Sequence, residues 1–299
     1  MMRLCIAFMT WTLGSVAADA LDPSVPAGID PGGVRVALIG PGLDYTKAGI
    51  AERLARDGEG EIAGYDLADD DRWPYFTDQS ALGFANCCIG AAEQLLLSAP
   101  AASIIIFRTT AENLEMTARA IKMAAQASAK IALLMTVNGS VEPNARFVRE
   151  AADRFPDLLF ILPHTGGYAG NSSRGDAALE PELTNVLVAG HLVAPAANDP
   201  PEGHMPGLGG LADVAVPAPW VDPPAWMCDW GCGYMPINAN LAAANLAAWA
   251  VRIAAVEPEL KGAGLKSRIL KFALPFSDKS MTTRYGRMPR FSDEPREKR

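Results

Sequence analysis

The chain carries three histidines in 299 residues, His164, His191 and His204, and these are all the imidazole it can offer a general base near neutral pH. It also holds five cysteines: Cys5 in an N-terminal apolar run, the adjacent pair Cys87 and Cys88, and the spaced pair Cys228 and Cys232. Nucleophilic hydrolysis needs a hydroxyl or thiol beside a base that a third group orients. Ser80 and Ser140 have no such base near them in sequence. The four later thiols suit zinc by type. Adjacent Cys87 and Cys88 are poor geometry for a tetrahedral site, however, and no C-x-x-C pair occurs, so no metal is expected. A redox role would want a low-pKa cysteine at a helix N-terminus, a place open to Cys87 or Cys88. In an exported chain disulfides are the default, either across the two pairs or locally between Cys228 and Cys232.

Export is what the first residues imply. Arg3 gives a positive start, 4–16 is mostly apolar, and Val16-Ala17-Ala18 and Ala18-Asp19-Ala20 each place small residues at −3 and −1 of a cleavage site. Residues 1–20 read as a signal peptide, too short in its apolar run to span a bilayer comfortably. No later segment reads as a membrane span. The expected location is outside the cell or in a periplasm. Acidic residues outnumber basic ones, 34 to 26, for a net charge of −8. Nothing resembles a phosphate-tracking basic stripe, so a nucleic-acid partner is excluded.

The elements that must position these residues alternate regularly. Short apolar runs at 34–39, 62–67, 103–107, 131–137, 158–162, 185–190 and 214–216 read as strands. Periodic segments at 47–56, 81–98, 111–127, 144–154, 238–256 and 265–272 read as helices. Strands without a polar face, separated by helices, predict an α/β fold in three layers: a mostly parallel sheet with helices on both faces. One domain over 21–276 is expected, followed by a polar, mobile tail at 277–299. Trp220, Trp226 and Trp230, with Pro223 and Pro224 among them, read as a rigid packed loop.

The order of these segments resembles the subtilase family of subtilisin-like serine peptidases, over roughly 34–253. Val34-Arg35-Val36-Ala37-Leu38-Ile39 followed by Gly42-Leu43-Asp44-Tyr45-Thr46 is similar to the family's first strand and turn. Gly64-Tyr65-Asp66 with Asp69 to Asp71 resembles its G-x-D-F-x-x-D-D, and 98–107 its approach to the next strand. Residues 131–139 look like its substrate-binding strand, and 185–190 like its N-V-I-x-V-G-A strand. The resemblance implies a subtilisin-like fold with an acid, an imidazole and a serine in hydrogen-bonded series.

All three positions lack the required residue. The acid position is Gly40, the imidazole position Ala85 and the serine position Met235. The oxyanion asparagine belongs near Thr165 and Gly166, where none stands; Asn171 is the nearest. Removing the serine or histidine alone from such a triad costs on the order of 10⁶ in turnover. His164 falls beside the oxyanion loop and reads as a strand-end residue, His191 as structural and His204 as exposed. Asp44 reads as a cap on the following turn. The resemblance also brings Cys87 and Cys88 toward Cys228 and Cys232, since the helices they precede or open are neighbours in the family. The expected function is a pseudopeptidase that binds peptide or protein along Thr136, Val137, Asn138 and Gly139, with no cofactor. The alternatives are an active peptidase with displaced catalytic residues and a structural exported protein.

Overall fold

Runs of apolar side chains with no polar alternate leave a strand no face for water, so both faces must be covered. The computed structural model describes residues 22–76, 84–110, 113–135, 142–164, 182–193, 212–218, 236–277 and 283–290, without the side chains of 84–88, 142–146 and 236–238. Its elements in chain order are β1 (Val34–Gly40), α1 (Ala48–Ala51), β2 (Tyr65–Asp66), α2 (Phe84–Ser98), β3 (Ala102–Arg108), α3 (Leu114–Gln126) and β4 (Ile131–Leu134). There follow α4 (Glu142–Arg154), β5 (Leu159–Pro163), β6 (Val186–Leu192), β7 (Val214–Pro217), α5 (Pro236–Val256) and α6 (Gly262–Leu270). The strands form one parallel sheet in the order β2-β3-β1-β4-β5-β6-β7. The order turns back on itself at β1, between β3 and β4.

Strand side chains alternate faces, and the two apolar cores follow that alternation. Val36, Leu38, Ile104, Ile106, Leu133 and Ile161 join α2, α5 and α6 in one core. Ala37, Ile39, Ile105, Phe107, Ala132 and Phe160 join α3 and α4 in the other. The three layers expected from sequence are therefore present. α3 is started by Asn113, whose side chain accepts from the Met116 amide at 3.0 Å and satisfies one of the helix's first N–H groups.

α2 and α5 lie side by side and run in the same direction. Leu241 is the neighbour of Gly90, and four residues further along each helix Gln94 Nε2 donates to Asn245 Oδ1 at 2.8 Å. Ser98 Oγ donates to the same oxygen at 3.2 Å, and Asn245 Nδ2 donates to the Pro217 carbonyl at 2.7 Å. Alanines along α5 let the helices approach closely. Their N-termini consequently open at the same end of the sheet.

Two expectations need correction. The helix predicted over 47–56 is only α1. Beyond it the Ala55 amide donates to Ile104 O and the Ile104 amide to Arg53 O, both at 2.8 Å, because the outer edge of β3 offers that stretch partners. No span was expected after the signal peptide, yet Ala239–Val256 is long and apolar enough to cross a membrane; 83% of that stretch is buried in the fold, which accounts for its composition. Part of the tail expected to be mobile, 283–290, lies alongside β7, where the Tyr285 amide donates to Asp213 O and the Met288 amide to Ala215 O, each at 2.8 Å. Polar side chains hid this segment because its attachment is mainly through backbone.

Candidate functional site

In a parallel sheet the place for a site is the carboxyl edge at the point where strand order reverses. Here that point is the end of β1, and its last residue is Gly40. The Gly40 carbonyl accepts from the Thr109 amide at 2.7 Å, and Gly40 stands in register with Arg108. Val36 and Leu38 face α2 and α5, so by alternation a side chain at 40 would project to that same face. A Cβ built on Gly40 would lie 3.1 Å from Met135 Cβ and 3.5 Å from Met135 Cε. Met135, just past β4 and tied by its amide to Ile39 O at 2.8 Å, is 7% exposed. Its side chain stands against the place where a side chain at 40 would begin.

The other two triad positions are reached only in part. Ala85 lies in the first turn of α2, as do Cys87 and Cys88, and their side chains are outside the described residues. Met235, immediately before α5, is outside them too. So are Thr136, Val137, Asn138, Gly139, Thr165, Gly166, Asn171, His204, Ser80, Ser140, Cys228, Cys232 and the three tryptophans at 220, 226 and 230. By topology the end of β1 and the starts of α2 and α5 lie at the same, carboxyl, end of the sheet.

His164 follows β5 and is 5% exposed; its amide donates to Ala189 O at 2.8 Å. Burial pulls its imidazole down to about 4, so the ring is neutral at pH 7 and a weak base. His191 lies within β6, fully buried, with Nε2 at 3.1 Å from the Ala218 carbonyl, which agrees with a structural role. Asp44 Oδ1 accepts from the Thr46 amide at 2.9 Å and from Thr46 Oγ1, the turn cap expected of it.

Sequence reading missed Arg108. Its Nη1 donates to Asp66 Oδ2 at 2.6 Å and also contacts Asp69, while its guanidinium lies 5.4 Å from the centre of the Phe76 ring. Asp66 is fully buried and its Oδ1 also accepts the Ala68 and Asp69 amides, at 2.8 and 2.9 Å. Burial still leaves its pKa raised. Asp22 and Asp71 bring carboxylate oxygens within 4.8 Å of it. The aspartates were visible in sequence; their cation, 42 residues away from Asp66, was not.

Solved structures decide the class of fold. The nisin leader peptidase NisP from Lactococcus lactis superposes with a TM-score of 0.54 at 13% identity, over 86% of each chain. The patellamide maturation protease PatG gives 0.50 at 15% identity, over 86% of this chain and 88% of that one. The fold is subtilisin-like. The serine protease MycP1, a component of the type VII (ESX-1) secretion system, gives 0.50 at 16% identity over 86% and 81%. No family model matches the sequence, and no curated protein matches it. At these identities the likeness speaks to the subtilisin-like fold alone.

Proposed function

We propose that this subtilisin-like domain is an exported pseudopeptidase, which binds peptide or protein and does not hydrolyse it. The observation that carries the reading is the end of β1. The acid position is a glycine, and Met135 occupies the space in front of it. A carboxylate at that point would orient the imidazole and stabilise its charged form. His164, held neutral by burial, is a poor substitute base.

Loss of a triad does not by itself remove a cleft that pairs extended peptide by main-chain hydrogen bonds, and Thr136, Val137, Asn138 and Gly139, which follow β4 in sequence, are the residues proposed for that pairing. Cys87 or Cys88 would bond to Cys228 or Cys232 across the starts of α2 and α5, a reading supported by the parallel packing of those helices. Thiol counting on unreduced protein checks this, and four free thiols would remove it.

The decisive experiment treats the purified exported chain with a fluorophosphonate probe beside a panel of unstructured peptides. No labelling, no cleavage and saturable peptide binding are the expected results. Labelling at one serine, with turnover abolished by its replacement, would install the displaced-residue peptidase instead.

A further inference from the structure

The last described segment, 283–290, runs along the outer edge of β7. Arg284 and Tyr285 donate their amides to Ala212 O at 3.0 Å and Asp213 O at 2.8 Å, and the Ala215 amide donates to Gly286 O at 2.9 Å. On its other side Arg287 exchanges two 2.8 Å backbone bonds with Leu274. Gly286 makes this double attachment possible. Its φ is +96°, and a Cβ there would lie 2.2 Å from the Leu274 carbonyl oxygen.

Side-chain anchorage is concentrated in few places. Of these eight residues only Met288 is buried. Lys266, from α6 and 3% exposed, reaches the Glu182 carboxylate at 2.7 Å and the Leu183 carbonyl at 2.8 Å, with its Nζ 5.7 Å from the Tyr285 ring. Arg284 Nη1 stands 3.4 Å from Asp213 Oδ1, and Asp213 Oδ2 accepts the Val188 amide at 2.9 Å. Lys266 thus connects the 283–290 segment to the segment entering β6.

We propose that 283–290 is a latch over the β7 edge, fastened by Lys266 through Glu182 and Tyr285, and that it opens as a unit of its own. Segments with few buried contacts open at lower free energy than the core strands they lie against. Opening bares Ala212 O, Asp213 O and the Ala215 amide, the pairing groups of an edge strand.

Native-state hydrogen exchange on the full chain tests this without any substitution. The amides of Tyr285, Met288 and Ala215 should exchange through one shared opening, about tenfold or more as frequent as the opening that exposes Val36 and Ile106. Lys266→Met keeps a long side chain and leaves no buried ammonium. It should quicken the latch amides by a further tenfold or so. Exchange of the latch amides at the rate of Val36 and Ile106 in the wild-type chain would overturn the proposal. So would latch amides whose exchange Lys266→Met leaves unchanged.

Discussion

At Gly40 the chain meets a limit that a single atom defines. A Cβ at that position starts 3.1 Å from Met135 Cβ, closer than side chains normally pack, and 3.5 Å from Met135 Cε. Gly40→Asp is therefore expected to cost about 1–3 kcal/mol of stability by overpacking. Met135→Ala alone costs about 2–5 kcal/mol through the cavity it leaves. The double variant should be more stable than the sum implies, by about 1 kcal/mol or more, in a denaturant double-mutant cycle. His164 supplies a second residue-scale test. Burial lowers its folded pKa to about 4 from 6.5. The unfolded chain thus binds the extra proton first, and the stability it contributes, present above pH 6.5, is lost as pH falls toward 4. The difference in stability between wild type and His164→Leu should shrink by up to about 3 kcal/mol over that window, measured by urea unfolding at each pH. At this scale the glycine was legible in sequence, because the strand before it ends in a recognisable turn. Met135 was not, since its meeting with Gly40 is a cross-strand contact that no linear pattern records.

Among the elements, the strands were the most legible, for a run such as Ile104-Ile105-Ile106 has no solvated alternative. Helices were legible where their period or composition was strong, and α1 was misjudged because β3 drew 53–55 into pairing. The pairing of α2 with α5 had a partial signal in their alanines. Its polar fastening at Asn245 had none, since Gln94 and Ser98 are about 150 residues away in sequence. That fastening can be measured. Asn245→Ala removes the donor to Pro217 O and the acceptor shared by Gln94 and Ser98. Losing these half-buried bonds should destabilise the fold by about 2 kcal/mol, seen as a lower denaturation midpoint with an unchanged m-value.

For the molecule as a whole, the N-terminal lead is fixed to the domain from its first described residues. Tyr45 Oη donates to Pro23 O at 2.6 Å, Arg56 reaches Pro26 O at 2.5 Å and Asp30 pairs with Arg35 at 3.1 Å. A peptidase removing the proposed signal must therefore act just upstream of a docked segment. Chain recovered from an exporting host should begin at Asp19 or Leu21 by intact mass, and a mass retaining 1–18 would rule out cleavage at either proposed site. The fold's architecture was readable from segment order, as a mostly parallel sheet with helices on both faces. The far end was not, because 283–290 is held by backbone bonds and by Lys266, features that composition does not carry.

The packing of Met135 against Gly40 also bears on the routes by which this sequence can change. On the proposed reading, a change to hydrolysis would need an acid at 40, an imidazole at 85 and a serine at 235. The first change would start its side chain 3.1 Å from Met135 Cβ, so it is expected to lower stability unless position 135 shrinks with it. The crowded end of β1 would then act as a ratchet, with changes at 40 and 135 expected to arrive together or not at all.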